Sequence, residues 1–186
     1  MNSEHLELCA SDEWRDTLRD LIIPYALADA RLGDDVLEVG AGPGRTTDLL
    51  RPDLARLTAV ELDEQLASAL AERMAGTNVE VVNADATEMP FEDGRFSGAV
   101  SFTMLHHVPT PELQDRLFAE VARVVRTGGT FVASDSVASD ELAAFHHDDV
   151  YNPVDPATVE ARLVGAGFAS ADVRWNEFGW AAHATR

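Results

Sequence analysis

From Asp35 onward the chain alternates short β-branched apolar runs with longer segments whose apolar positions recur at helical spacing. The runs are "DVLEV" (35–39), "RLTAVEL" (56–62), "VEVV" (79–82), "FSGAVSF" (96–102) and "GGTFVASD" (128–135), the last entered through Gly128 and Gly129. Runs of this kind, separated by helical segments, are the signature of a parallel sheet whose crossovers are helices. A helix is predicted from about Arg45 to Leu50, stopped by the Arg51-Pro52 step. Others follow in "DEQLASALAERM" (63–74), where Asp63 stands in the N-cap position, in "PELQDRLFAEVARVV" (111–125) and in "PATVEARLVGAGF" (156–168), which glycine closes. "ASADVRWNEFGWAAHA" (169–184) reads as two strands joined near Asn176, an antiparallel hairpin ending the sheet. Ahead of the first strand, Ser11 caps a helix that opens on Asp12 and Glu13. Pro24 either kinks or ends it before "YALADARLG" continues, and Gly33 stops it.

A length of 186 residues with no repeat and no composition break predicts one domain, 1–186, large enough for a core without staples. The lone Cys9 excludes an intramolecular disulfide, and the acidic, polar start "MNSEHLELCASDEWRD" lacks the basic-then-apolar order of a secretory signal. "LIIPYALADA" is too short for a membrane span and carries Pro24 and Asp29. A cytoplasmic protein with no membrane partner is therefore expected. With 33 acidic against 14 basic side chains, the formal charge of −19 opposes a phosphate backbone, so no nucleic-acid partner is expected either.

The first strand runs into "LEVGAGPGRT" (37–46), with Gly40, Gly42 and Gly44 in five positions. A dinucleotide-binding turn places its third glycine at the sixth position of GxGxxG. Here that glycine falls one residue early and Arg45 stands in its place, which argues against a nicotinamide coenzyme. Glu38 lies two residues before the first glycine, and Glu61 ends the second strand, 21 residues beyond Gly40. Both fall at the carboxyl edge of the sheet, where such folds take ligands. A carboxylate after the second strand can accept hydrogen bonds from both ribose hydroxyls, and Glu38 suits a cationic ligand better than a pyrophosphate.

On these residues the chain resembles the class I S-adenosylmethionine-dependent methyltransferases, over nearly all of its length from Asp35. "LEVGAGPGRT" is similar to their ExGxGxG loop, "LTAVELD" to their acidic second strand and "NADATEMPF" to the stretch bearing their adenine-side aspartate. "SFTMLHHVP" is similar to their fourth-strand exit, "EVARVVRTGGTFVASD" to the helix and turn before their fifth strand, and "VGAGF" to the last-helix ending of their small-molecule branch. The resemblance implies a Rossmann-like α/β fold: a seven-stranded, mainly parallel sheet with helices on both faces and a C-terminal antiparallel hairpin. It places residues 1–34 as a helical segment covering the site. It implies S-adenosyl-L-methionine as cofactor, with Gly40, Gly42 and Gly44 under its methionine part and Glu38 ordering the loop or holding the ammonium. Glu61 would take the ribose, Asp85 the adenine amino group and Ala86 a ring nitrogen, with Leu62 and Phe102 also on the cofactor side.

The activity so implied is in-line displacement of the activated methyl group onto a small-molecule acceptor. Some relatives, the phosphobase methyltransferases, use a histidine in the position that His106 resembles, paired with an N-terminal tyrosine. His106 is the expected catalytic base, and Tyr25 is a candidate partner. "FHHDDV" (145–150) is expected to cover the acceptor pocket. No metal is expected there, because four adjacent residues cannot all converge on one ion and H-x-x-x-H spacing is absent. The short N-terminal segment leaves the pocket either open or completed by a second subunit, as in a homodimer. Trp14, Tyr25 and Phe145 are candidates to line it or to join the core. Two alternatives remain from the residues alone: a noncatalytic protein that binds the cofactor, and an NAD-dependent oxidoreductase.

Overall fold

A computed structural model describes residues 2–186. Seven strands form one sheet in the order β3-β2-β1-β4-β5-β7-β6. They are β1 (Asp35–Val39), β2 (Arg56–Glu61), β3 (Val79–Asn83), β4 (Phe96–Phe102), β5 (Val125–Ser136), β6 (Ser170–Trp175) and β7 (Gly179–Thr185). Strands β1 to β5 pair in parallel, and β7 runs antiparallel between β5 and β6. The helices are α1 (Ser3–Ala10), α2 (Asp12–Thr17), α3 (Ile23–Leu27), α4 (Arg45–Leu50), α5 (Glu64–Met74), α6 (Pro111–Val124), α7 (Asp140–Phe145) and α8 (Pro156–Gly165).

Successive β1 residues point to opposite faces, and both faces are covered. Leu37 and Val39 pack with Phe118 and Val121 of α6 and with Val159 and Leu163 of α8. Val36 faces the other way, with Ala26 of α3 and Leu50 of α4. Burying one such side chain contributes about 1.5–3 kcal/mol. The two cores together therefore hold the strand ends, and whatever those ends carry, as a rigid frame. The C-terminal hairpin turns at Asn176, whose Oδ1 accepts the N–H groups of Phe178 (2.8 Å) and Gly179 (3.1 Å).

The N-terminal region departs from the sequence expectation in three places. Helix α1 was not predicted. It is a short helix with few apolar positions to mark it, begun by Asn2, whose side chain accepts the His5 N–H at 2.8 Å. Ser11 caps α2 as expected, through Trp14 N–H at 3.0 Å. The path then widens into a π-helical turn, Leu18–Ile22, ahead of Pro24. That register change accommodates a residue with no N–H to donate, so the helical path runs on through Pro24 to Leu27. Gly33 is not the helix stop: the helix ends at Leu27, and Ala28 already leaves helical geometry. Gly33 sits at φ +80°, where an added Cβ would lie 2.5 Å from Ser97 Oγ, so its role is close packing at the entrance to β1.

Farther along, β5 begins at Val125, pairing first with Phe96, and its register then jumps so that Gly98 faces Thr130. Gly128 and Gly129 lie within that irregularity. The segment after β5 contains helix α7, with Ser139 Oγ accepting Leu142 N–H at 3.1 Å.

Candidate cofactor and acceptor site

The strand order reverses across β1, with β2 on one side and β4 on the other. In open α/β sheets the crevice for a ligand lies outside the carboxyl ends of the strands at that reversal. A cavity of 470 Å³ opens there. Its wall is built from the turns after four strands: Gly40 to Pro43, Glu61 to Asp63, Ala84 to Thr87, and Phe102 to Met104. Cys9, Trp14 and Leu18 close it from the N-terminal helices, and Asp149 and Val150 from the segment after α7.

The glycine turn is tied to β2 at its start, where Gly40 and Ala41 donate their N–H groups to Val60 O at 2.9 and 3.1 Å. Gly42 adopts φ +53°, and a Cβ built there meets no protein atom within 4 Å. Its bare backbone is floor of the cavity. Gly44 works differently: it precedes α4 in left-handed geometry, and a Cβ there would collide with Leu70 and Arg73 of α5. Gly44 does not line the cavity.

Glu61 locks the floor in place. Its Oε2 accepts the Gly42 N–H at 2.7 Å and its Oε1 the Asp63 N–H at 2.9 Å. Each carboxylate oxygen keeps a further lone pair for a ligand hydroxyl. Asp63 caps α5, accepting from Gln65 and Leu66 at 2.9 and 3.0 Å. Asp85 accepts the Thr87 N–H at 2.7 Å, an Asx turn that holds its carboxylate and the adjacent Ala86 at the cavity wall. Leu62 stands at the rim, 69% exposed. Thr103 takes φ +50°, unusual for a non-glycine residue, and its N–H bonds Ser134 O at 2.7 Å. That turn brings Met104 under Gly40.

Glu38 is not on the wall. It is buried beneath the turn, where Oε2 accepts the Thr47 hydroxyl of α4 at 2.7 Å. Burial pushes its carboxyl up to about 8 against the pull of the Thr47 hydrogen bond, with Asp48 and Glu61 adding repulsion. Of the two roles expected for Glu38, the one its position supports is ordering the loop.

The residue expected as catalytic base lies off the cavity wall. His106 is buried with its backbone N–H on Asp135 Oδ2 (3.0 Å) and Nδ1 on Asp135 Oδ1 (2.7 Å), and it does not line the cavity. The imidazole on the wall belongs to His107, whose ring centroid is 4.2 Å from that of His106. Tyr25 is not brought to His106. It packs in the α3 core beneath the Arg174 guanidinium, 4.9 Å from its ring. The tyrosine near the histidines is Tyr151, 6.0 Å from His106 between ring centroids. Trp14 lines the cavity, and Phe145 packs on His5, 5.0 Å away. Cys9 and Leu18 had no sequence signal as wall residues, because neither belongs to a motif. Burial pushes the Cys9 thiol up to about 11.

The methyltransferase domain family matches residues 36–129, the stretch from β1 into β5 that carries every turn of the wall named above except the N-terminal and post-α7 pieces. A demethylmenaquinone methyltransferase of Clavibacter sepedonicus is 30% identical over 120 residues, covering 64% of this chain and 45% of that protein. A phthiotriol/phenolphthiotriol dimycocerosates methyltransferase of Mycobacterium tuberculosis is 31% identical over 124 residues, covering 66% of this chain and 45% of that one. The chain thus spans less than half the length of these curated relatives. In fold, it is similar to the PH0226 protein of Pyrococcus horikoshii, with a TM-score of 0.78 at 17% identity over 100% of this chain and 99% of that one. The match across half the sequence establishes that the chain belongs to the class I S-adenosylmethionine-dependent methyltransferases.

Proposed function

We propose that this chain moves the methyl group of S-adenosyl-L-methionine onto a small molecule held in the 470 Å³ cavity. The observation that carries the proposal is the Glu61 clamp on Gly42: a carboxylate fixed beside a backbone surface from which no side chain projects. The donor set fits the group. Glu61 offers acceptors to the ribose hydroxyls, the Asp85 carboxylate can take an exocyclic amine, and Ala86 supplies a backbone N–H. Leu62 and Phe102 give apolar surface for the base, and the Gly40 to Pro43 turn leaves room for the amino-acid end.

When bound, the cofactor supplies a methyl group already activated on a sulfonium. The chain's own work is therefore positioning and water exclusion, with no covalent intermediate on the protein. Val60, Leu66, Leu113, Leu117 and Val150 make much of the wall apolar. Cys9, Trp14 and Leu18 let the N-terminal helices cover the opening. Support for a small-molecule acceptor comes from these walls, from the −19 charge that repels nucleic acid, and from the acceptors named in its relatives. Incubation with methyl-labelled cofactor and fractionated metabolites tests the proposal. Label should move to a low-molecular-mass fraction in wild type and stay on the cofactor with Glu61→Ala; label found only on RNA or protein would refute a small acceptor.

A further inference from the structure

Behind the cavity wall lies a cluster that the methyl-transfer proposal does not use. His5 of α1, His106 and His107 after β4, and His146 after α7 come together from three separate parts of the chain, and one ring nitrogen of each lies within 4.8 Å of the others. His5, His106 and His146 are 6%, 6% and 4% exposed. Buried and without a hydrogen-bond partner are Nδ1 of His5 and Nε2 of His106, His107 and His146.

Proton placement makes this arrangement costly as it stands. Both oxygens of Asp135 already accept backbone N–H groups, Oδ2 from His106 and Oδ1 from Ser136 at 2.7 Å. Asp135 is thus the acceptor toward His106, so Nδ1 carries the ring proton and Nε2 presents a bare lone pair. His146 is fixed the same way: Nδ1 lies 2.6 Å from Leu142 O, which can only accept, so its Nε2 is also bare. Two aimed lone pairs, buried beside two more imidazoles, want a cation.

We propose that His5, His106, His107 and His146 bind one late first-row transition-metal ion of the zinc class. Neutral imidazole is a ligand of choice for such ions, and ring N–H groups turned outward onto a carboxylate and a backbone carbonyl form the outer shell that orients ligating histidines. Asp149 brings a second carboxylate to the edge of the cluster, with Oδ2 3.9 Å from His107 Nδ1, on the side of that ring away from its unpartnered Nε2. Four nitrogens about a zinc-sized ion at 2.0–2.1 Å would stand roughly 3.4 Å apart, so the 4.8 Å cluster closes by small side-chain rotations.

The ion's place gives it a consequence. His107 and Asp149 also line the cavity, so the site ties α1 and the segment after α7 to the exit of β4 along the acceptor side. Asn2 already stitches the same pieces, donating from Nδ2 to Phe145 O (2.9 Å) and His147 O (3.1 Å). Ligation also takes the Nε2 lone pair that a general base would need, so it replaces the base role expected of His106. This inference stands apart from methyl transfer, since metal binding is read without turnover.

The test uses the untagged full chain, stripped with chelator and titrated with Co2+ and then Zn2+. Expected are one equivalent of Co2+ with tetrahedral ligand-field absorption, its displacement by Zn2+, a raised melting temperature, and paramagnetically shifted ring signals from His5, His106, His107 and His146. Affinity should fall at least about tenfold in His5→Gln and in His146→Gln, each checked for folding by circular dichroism, and stay unchanged in His147→Ala, whose ring is exposed outside the cluster. An octahedral spectrum, no change in melting temperature, or equal loss in His147→Ala would overturn the proposal. The wild-type ring signals decide the matter by themselves if a variant fails to fold.

Discussion

The Glu61 carboxylate accepts the Gly42 N–H at 2.7 Å, joining the end of β2 to the glycine turn after β1. One side chain therefore shapes the cavity floor and, in the proposed complex, presents an acceptor to the ribose. Glu61→Gln keeps the size but removes the charge and one acceptor. A charge-assisted hydrogen bond contributes about 1.5–3 kcal/mol, so cofactor affinity should weaken roughly 10- to 100-fold by calorimetry. An unchanged affinity would take Glu61 out of the site.

Gly42 and Gly44 sit two residues apart in one turn, yet their alanine variants should fail differently. In Gly42→Ala the new methyl projects into open cavity, so the protein folds with a backbone penalty of about 1 kcal/mol and loses cofactor binding. In Gly44→Ala the methyl meets Leu70 and Arg73, so the loss appears first as a lower melting temperature. Thermal melts with and without cofactor separate the two.

Glu38 gives stability a pH dependence of known sign. Its folded value is raised from 4.5 to about 8, so between those limits the native state keeps a proton that the unfolded chain has released. That group's contribution therefore falls as pH rises from about 4.5 to 8 and is level above. Glu38→Gln, neutral throughout, should melt at least about 2 °C above wild type at pH 8 and match it near pH 4.5. Equal melting temperatures at both values would show that Glu38 ionises freely.

Cys9 lines the cavity with its thiol raised from 9.0 to about 11. Thiolate being the reactive form, iodoacetamide should alkylate it roughly 100-fold more slowly at pH 8 than a free thiol, and more slowly still with cofactor present. Rapid labelling that ignores cofactor would place Cys9 outside the cavity.

The parallel sheet, its hairpin and the strand-end turns that line the cavity were legible because each rests on local chemistry: a strand run, a glycine where φ is positive, a carboxylate at a strand end. Glu38 shows where that stops, since only the fold reveals that α4 covers it and turns its carboxylate onto Thr47. Pro24 was ambiguous because a π-helical turn is a tertiary accommodation with no residue signature. The histidines show the larger gap. "FHHDDV" alone cannot surround an ion, and only the packing of α1 and α7 against the β4 exit brings His5 and His146 to His106 and His107. His106 was expected as the catalytic base, yet its ring is turned onto Asp135, 29 residues away, and stands off the cavity wall.

The most direct measurement is isothermal titration of the purified chain with S-adenosyl-L-methionine, S-adenosylhomocysteine and NAD in parallel. One equivalent of each sulfur nucleoside should bind, with Gly42→Ala abolishing the heat, and NAD should give none. Heat with NAD and none with either sulfur nucleoside would contradict the assignment of the cavity.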